Sequence, residues 1–378
     1  MKKIKWGKGF KYIFKIFLVA IIVIYSAVIP TTIIPNFLKN KIISSESRKF
    51  EFMGVLEVWH IESFEGGSKS RQSWLEQRGI EFSKIHQGCY ILINTMSLEQ
   101  AKLNLQNGKK PNMFSFSIGA GDSLREYLSA YNGKVAVRDD LLAGGKINDT
   151  IYAVPYLLGG YSIFSKNEIT KELQNVGFGE GNINNFALAL ALNDYKVTIS
   201  ETSKNIDSFT AYDNYLKGKT STLVGTQRDS FRINNRLQNG KMANENMSHL
   251  GVFSDLIQYM GICTTNELEY EMSKKFIEYL QTTNVQKSIS NISMFTANGE
   301  YIYNSGYLHE MELSLNKALK TLNVFISDEL LKQIHDKSVE YVQGQFKDIN
   351  YFKNYLVGWK YGNNSKRNWK TKRCNSIT

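Results

Sequence analysis

The sequence predicts an α/β protein with two domains, and three observations support this fold class. From Gly54 onward, short apolar stretches alternate with stretches of helical periodicity, an order typical of a parallel sheet covered by helices. This alternation breaks at residues 151–166, where two strand-like stretches flank the pair Gly159-Gly160. The chain also has 378 residues, of which 42% are hydrophobic, and this is enough for two cores of ordinary size.

The first predicted domain opens with a βαβαβ unit. Its strand, helix, strand, helix and strand span residues 55–61, 71–87, 89–94, 97–107 and 113–118. Ser97 is expected to cap the second helix, and Gly88 and Gly108 are expected to end the two helices. The unit should be right-handed, and ligands of such sheets bind at the carboxyl ends of the strands, where the loops 62–67 and 119–122 emerge.

Residues 151–166 predict a crossing between the domains, because one strand-like stretch arrives before Gly159-Gly160 and another leaves after it. Further apolar stretches predict strands over 220–225 and 255–262, a helix over 268–282 and two helices within 313–343. The tail 346–378 is polar, aromatic and basic without a clear period, so we expect it to be loose.

The net charge of +11 is carried by the two ends of the chain. Six lysines lie in residues 1–15 and five lysines or arginines lie in residues 364–378, and neither segment contains an acidic residue. The rest of the chain is therefore neutral overall. A nucleic-acid-binding protein would carry its basic surface on the folded domain, so this distribution disfavours a nucleic-acid partner.

Residues 16–38 form an uncharged run of 23 residues behind the N-terminal lysines. Such a run can cross a hydrocarbon core of about 30 Å, and the lysines before it place the following chain outside the cytoplasm. We therefore expect a cytoplasmic basic segment and membrane anchor over 1–38 and a polar linker over 39–53. The alternative is a cleaved signal peptide and a secreted protein, although the run exceeds the usual apolar length of about 7–15 residues and has no small-residue cleavage site.

The cysteines and histidines predict neither a disulfide framework nor a metal site. Cys89, Cys263 and Cys374 are odd in number and widely spaced. The five histidines show no metal-binding spacing, and no phosphate-binding loop or serine-hydrolase motif occurs. We therefore expect no cofactor.

The turn after the first predicted strand is unusually rich in polar and aromatic residues. Gly66 and Gly67 can let backbone N–H groups face a ligand beside the N-terminal donors of the following helix, and Glu62 and Glu65 can accept hydrogen bonds from hydroxyls. Three aromatic side chains can stack on a sugar: Trp59, Phe64 and Trp74. The alternative is that the glycines only shape the turn while the tryptophans fill the core.

Glu62 and Glu65 also allow a glycoside hydrolase, since hydrolysis needs two carboxyl groups about 5–10 Å apart across the scissile bond. Two acids on one short loop are weak support for this activity, because catalytic acids usually come from separate strands.

A second polar cluster, Gln227-Arg228-Asp229, follows the predicted strand 220–225. All three side chains can bind hydroxyl groups, and their place at a strand end favours a ligand site. The alternative is that Arg228 and Asp229 form a structural or surface ion pair.

Four segments in this order resemble the extracellular solute-binding proteins of ABC importers, in the sugar-binding branch that includes maltose-binding protein. They cover much of residues 54–345 and read W-x-I-x-x-F-E-G-G-x-x-x-R-x-x-W-L from Trp59, Y-A-V-P-Y-L-L-G-G-Y-S-I-F-S-K from Tyr152, T-x-x-L-V-G-T-Q-R-D ending at Asp229, and F-I-E-Y-L-Q-T from Phe276 with S-M-F from Ser293.

The resemblance implies a periplasmic-binding-protein-like fold of two α/β lobes, which close on a solute around a hinge that the chain crosses more than once. The first lobe would be 54–158 with 251–300, and the second 159–250 with 301–345. Implied partners are a sugar or oligosaccharide and the permease subunits, and no enzymatic activity is implied.

Four loops would contact the ligand according to this resemblance, and they coincide with the clusters found from the residues themselves. The candidates are Glu62, Phe64, Glu65, Gly66 and Gly67 after the first strand, Gly119 and Asp122 after the third, Gly159, Gly160 and Tyr161 at the crossing, and Gln227, Arg228 and Asp229, with Trp59 as a stacking residue.

Two features depart from the family pattern. No cysteine follows the uncharged run as a lipid attachment site, and the second lobe is short. A membrane-anchored ligand sensor, a surface glycoside hydrolase and an inert adhesive protein therefore stay as alternatives.

Overall fold

The computed structural model describes residues 17–19, 52–179, 182–199, 206–243, 245–317 and 319–345. The chain divides into two compact units, residues 1–51 and 52–378. In the first unit Phe17, Leu18 and Val19 are described, and they are helical and exposed. The remainder of the predicted anchor, the linker up to residue 51 and the tail 346–378 lie outside the described residues. Among the described helices, none combines the length and apolar character that a membrane span requires.

The described strands of the second unit are, in chain order, β1 (Gly54–Ile61), β2 (Cys89–Met96), β3 (Met113–Phe116), β4 (Lys146–Ile147), β5 (Thr150–Ile151), β6 (Val154–Leu158), β7 (Tyr161–Ser165), β8 (Glu172–Phe178), β9 (Lys196–Ile199), β10 (Thr222–Thr226), β11 (Asn246–His249), β12 (Ile257–Ile262) and β13 (Phe295–Thr296).

The described α-helices are α1 (Arg71–Ile85), α2 (Leu98–Gln106), α3 (Gly121–Leu124), α4 (Asp139–Leu142), α5 (Asn184–Leu192), α6 (Ser208–Leu216), α7 (Gln227–Gln238), α8 (Glu267–Leu280), α9 (Thr283–Lys287), α10 (Gly306–Leu315) and α11 (Asp328–Val342). Short 3-10 turns occur at Arg125–Tyr127, Ala143–Gly145 and Ser288–Ile292.

Six strands form the first sheet, in the order β13-β6-β12-β3-β1-β2. β1 pairs in parallel with β2 and β3, as predicted for the βαβαβ unit. β12 runs antiparallel to β3 and β6, and β13 runs antiparallel to β6, so the sheet is mixed and not wholly parallel. Because β12 arrives from the second sheet, no βαβ crossover fixes its direction.

Five strands form the second sheet, in the order β11-β7-β10-β8-β9, and β4 and β5 form a separate hairpin. The chain passes between the large sheets between β6 and β7, between β11 and β12, and between β13 and α10. Helix α10 packs on α7 and β11, and α11 packs on α5 and β9, so the last helices complete the layer around the second sheet. The predicted crossing at Gly159-Gly160 is the first of these passages.

Local sequence signals explain where the first helices begin and end. The Ser97 hydroxyl accepts a hydrogen bond from the Gln100 N–H at 3.2 Å and caps α2, as predicted. Gly88 and Gly108 follow α1 and α2 with φ of 92° and 76°, a left-handed conformation that glycine adopts without strain. The βα units therefore have the lengths that bring the carboxyl ends of β1 and β3 to one edge.

Alternation along β1 divides its side chains between two core clusters. Leu56 and Val58 pack with Trp74 and Leu75 of α1 on one face, whereas Trp59 packs on the other face. The central strands β3, β6, β7, β10 and β12 are buried along their whole length, because other elements cover both faces of each sheet.

Candidate functional site

The candidate site lies where the loop after β1 meets the N-terminus of α7. The loop belongs to the first sheet, and α7 follows β10 at the centre of the second sheet. Two contacts join them: the Gln227 side-chain amide donates to the Glu65 carbonyl oxygen at 3.2 Å, and the Arg228 guanidinium forms an ion pair with the Glu65 carboxylate. The structure therefore brings two of the four predicted clusters together.

Gln227 also joins the site to the first passage between the sheets. Its backbone N–H donates to the Gly160 carbonyl oxygen at 3.1 Å, and its side-chain Oε1 accepts from the Gly160 N–H at 3.1 Å. Its exposed fraction is 0%. At Gly159, an added Cβ would lie 2.7 Å from the same Oε1, so the close approach of the crossing to Gln227 requires glycine there. The predicted cluster Gly159-Gly160 thus contacts the predicted cluster at Gln227.

Arg228 is 5% exposed, yet it carries a positive charge. Its Nη2 donates to the Gly179 carbonyl oxygen at 3.0 Å, and its Nη1 faces the Glu65 carboxylate. Its Nε has no hydrogen-bond partner among the described residues. Burial lowers the pKa of Arg228 while the neighbouring Asp229 raises it, but arginine stays charged at any physiological pH. This buried cation needs an anionic partner at the site.

Asp229 has a structural task at the start of α7. Its Oδ2 accepts the Thr226 N–H at 3.1 Å, while the Thr226 hydroxyl accepts the Arg228 N–H at 3.3 Å, which completes a capping box. Burial raises the pKa of the Asp229 carboxyl, and the Arg228 charge lowers it in turn. The structure therefore places Asp229 behind Arg228, as the residue that holds the helix terminus.

Phe64 lies between groups from both sheets. It packs against core clusters of the first and of the second sheet, and the Arg71 guanidinium carbon lies 4.0 Å from the centre of its ring. Such a stacked cation and ring attract each other. Arg71 is buried and bonds through Nη1 to the Gln258 side chain and, at 3.4 Å, to the Ser63 hydroxyl. The loop after β1 is thus supported from below by a charged side chain.

A chain of buried polar groups continues from Arg71 into the first sheet. Gln258 donates to the Ser115 hydroxyl at 2.9 Å, and Ser115 also bonds His60 Nδ1 at 2.8 Å and the Tyr156 hydroxyl at 2.8 Å. Burial, and after it the charge of Arg71, lowers the pKa of His60 to about 3. His60 is therefore a neutral hydrogen-bonding residue at neutral pH.

Arg71, His60 and Gln258 were not among the predicted site residues. A signal for Arg71 exists in the sequence, since it precedes Trp74, Leu75 and Arg78 at helical spacing and so shares the buried face of α1. A cation on that face indicates a buried polar partner. For Gln258 no local signal exists, because its partners lie on other strands.

Gly66 and Gly67 are filled in by the protein's own backbone. A Cβ on Gly66 would lie 2.2 Å from the Lys69 carbonyl oxygen, and one on Gly67 would lie 2.2 Å from that of Ser293. The Ser68 N–H donates to the Ile292 carbonyl oxygen at 3.0 Å. The glycines therefore let the loop press against the segment before β13, which favours the alternative that they shape the turn.

The tryptophans pack in the core. Trp59 is 3% exposed, donates its indole N–H to Glu57 at 2.8 Å and meets the Phe114 ring edge-on. Trp74 stacks on Tyr156 and donates to the Ser288 hydroxyl at 3.0 Å. A sugar cannot stack on rings covered in this way, so the structure supports the packing interpretation for both.

The other candidates lie at the edges of this group. Asp122, in the short helix α3, forms an ion pair with Arg125 of 3.3 Å, and Gly119 before it has a φ of 92°. Tyr161 is buried and donates to the Asp255 carboxylate at 2.5 Å, which joins the first passage between the sheets to the second. Glu62 is exposed on the loop after β1.

The described residues contain no group of His, Cys, Asp and Glu side chains that could hold a metal ion. What the site offers is hydrogen-bonding amides, one buried guanidinium and an aromatic ring between two sheets. Such a set can bind a polar solute by hydrogen bonds and charge.

Solved structures show that this is the fold of sugar-binding ABC solute-binding proteins. The GacH receptor of Streptomyces glaucescens, solved unliganded and with acarbose, has a TM-score of 0.55 at 11% identity, covering 82% of this chain and 98% of its own. The maltose/maltodextrin-binding domain from Bdellovibrio bacteriovorus, bound to maltotriose, has a TM-score of 0.51 at 12% identity, covering 81% and 99%.

The galacto-N-biose/lacto-N-biose I-binding protein of an ABC transporter from Bifidobacterium longum has a TM-score of 0.55 at 8% identity, covering 82% of this chain and 98% less two points, that is 96%, of its own. At the level of sequence, no family model and no curated protein matches this chain. The predicted resemblance to this class is thus confirmed for the fold, over most of the chain.

Proposed function

We propose that this protein is the extracytoplasmic solute-binding component of an ABC import system, and that it binds a carbohydrate between its two sheets and delivers it to a permease. One observation carries the proposal: the loop after β1, the first passage between the sheets and the N-terminus of α7 converge on Glu65 and Gln227. The fold that the sugar-binding neighbours share gives the same arrangement of two sheets with passages between them.

The proposed lobes are 54–158 with 251–300, and 159–250 with 301–345. Only the passages between them would bend when the lobes move, and the Tyr161–Asp255 hydrogen bond ties two of these passages together. A solute that contacts both lobes favours the closed form by its differential affinity. In this proposal the solute contacts Phe64 and Glu65 on one side and Gln227 and Arg228 on the other.

The N-terminal segment 1–38 would hold the protein at the outer face of the cell membrane. Its lysines and uncharged run support this part of the proposal. The permease would then meet the closed form at the membrane surface.

A thermal-shift screen of the full chain in detergent against neutral and acidic mono- and oligosaccharides tests the function. A solute that binds the folded state alone raises the unfolding midpoint as its occupancy increases. We expect a saturable shift with one saccharide series and no product after long incubation. Product formation would indicate a hydrolase, and the absence of a shift with every saccharide would contradict the proposal.

A further inference from the structure

The charge of Arg228 is the starting point for naming the class of solute. The guanidinium is almost fully buried, and its one carboxylate contact among the described residues outside its own helix is Glu65. Asp229, the next residue, directs Oδ2 to the Thr226 N–H, and its Oδ1 lies 3.7 Å from Arg232. The cation is therefore balanced at its open side by Glu65.

The two partners of this ion pair differ strongly in burial. The Glu65 side chain is 60% exposed, whereas that of Arg228 is 6% exposed. A carboxylate that is mostly in water can leave at little cost, because water solvates it elsewhere. A buried guanidinium left without an anion carries a large desolvation penalty. The pair thus favours exchange of one carboxylate for another at Arg228.

The neighbouring groups suit a sugar that carries this second carboxylate. The Gln227 amide donates to the Glu65 carbonyl oxygen and lies within one residue of Arg228, so it can serve a hydroxyl when the loop moves. Once Glu65 withdraws, Arg228 and Arg232 face Asp229 alone, which leaves one positive charge in excess. Planar, two-pronged binding of a carboxylate is what arginine does best.

We propose that the solute is an acidic saccharide, and that its uronic-acid carboxylate replaces the Glu65 side chain on Arg228. This inference rests on the proposed function and adds the chemical class of its solute. Glu65 acts as a tethered stand-in for the ligand's carboxylate and competes with it.

The test measures binding to the full chain in detergent by calorimetry, with matched pairs of disaccharides built from glucuronate, galacturonate or mannuronate and their neutral hexose counterparts. We expect an acidic member to bind at least tenfold more tightly than its neutral counterpart, a difference of about 1.4 kcal/mol. Arg228→Gln should remove this preference. Glu65→Gln should tighten binding of the acidic member several-fold, because it removes the internal competitor.

Arg236→Gln is the matched control, since it removes the same charge from the last turn of α7, about 12 Å along the helix from Arg228. It should change the preference less than threefold. Unfolding midpoints of all variants are recorded, and Arg228→Lys, which keeps the charge, should restore part of the preference if Arg228→Gln folds poorly.

Three results would overturn the inference. Equal or tighter binding of the neutral members would reject the acidic class while the proposed function stands. Weaker binding of all saccharides in Glu65→Gln would make Glu65 a latch between the sheets and not a competitor. Absence of saccharide binding in the unmodified chain and in Glu65→Gln would reject the proposed function together with the inference.

Discussion

At the scale of single residues, the first sheet contains an unusual set of buried polar side chains. His60, Ser115, Tyr156 and Gln258 bond to one another beneath the loop that follows β1, and Arg71 connects them to Phe64. Because each group has a partner, the network fixes the orientation of the loop. Its titratable histidine gives the fold a measurable dependence on pH.

The free energy of unfolding should fall as the pH is lowered from about 6.5 toward 4. The pKa of His60 is lowered to about 3 in the folded state, so between that value and the ordinary 6.5 the unfolded chain binds the proton and the folded chain does not. Stability is therefore full above pH 6.5 and is lost below it, by up to about 1.4 kcal/mol per pH unit.

His60→Gln, which can still bond to Ser115, should flatten this dependence. Urea unfolding at pH 6.5, 5.5 and 4.5 gives the slope for both chains. Burial also lowers the pKa of His249, to about 4, so His60→Gln with His249→Gln should flatten it further. An unchanged slope in His60→Gln would show that His60 is protonated in the folded protein.

At the scale of elements, the loop after β1 is held by close backbone packing. Gly67 lies against the carbonyl oxygens of Ser293 and Ile292, which belong to the segment just before β13. The loop that offers Phe64 and Glu65 is therefore fixed by a part of the chain that follows it by more than two hundred residues in sequence.

Gly67→Ala should lower the free energy of unfolding by about 1–3 kcal/mol and also weaken solute binding, because the added Cβ forces the loop away from Ser293. Gly108→Ala is the control. It has a φ of 76° and no atom within 4 Å of the added Cβ, so it should cost about 1–2 kcal/mol from backbone conformation alone.

Gly108 follows α2 at the sheet edge opposite the loop, so its substitution should leave solute affinity unchanged. Chemical unfolding and calorimetry on both variants separate the two effects. Equal affinities in the two variants would show that the position of the loop does not matter for binding.

How far the sequence predicts these elements depends on whether their signals are local. Ser97 and the glycines after α1 and α2 act within a few residues, so the βαβαβ unit was predicted with nearly correct ends. Helix α5 was missed because Phe186–Leu192 are all buried between the sheet and α11, which leaves no 3.6-residue period to recognise.

The candidate site was predictable for the same reason in part. Glu65, Gln227 and Arg228 follow strand ends, where ligand sites of α/β folds occur. Trp59 and Arg71 were misjudged because burial of a side chain depends on the second face of the strand or helix. That face is covered by residues distant in sequence, such as Phe114 for Trp59 and Gln258 for Arg71.

At the scale of the whole molecule, the contacts of Glu65 join the two sheets in the absence of a solute. We expect Glu65→Ala to open the solute-free protein, since it removes the ion pair with Arg228. Small-angle scattering should show a larger radius of gyration than that of the unmodified chain, and a bound saccharide should bring both to one value.

Glu62→Ala is the control for this measurement, because Glu62 lies exposed on the same loop and its removal changes the charge equally. It should leave the radius of gyration unchanged. If Glu65→Ala and Glu62→Ala scatter alike, the ion pair does not hold the sheets together.

The last helix of the second sheet has a consequence for how the chain is made. Helix α11 covers α5, although 136 positions separate Leu192 from Asp328. The apolar surface of α5 therefore waits for nearly the whole described chain to be synthesised, and contacts of such long range form slowly. A polypeptide that cannot finish folding until its last helix emerges remains extended long enough to be threaded through a membrane, and the order of its elements thus delays folding until export is complete.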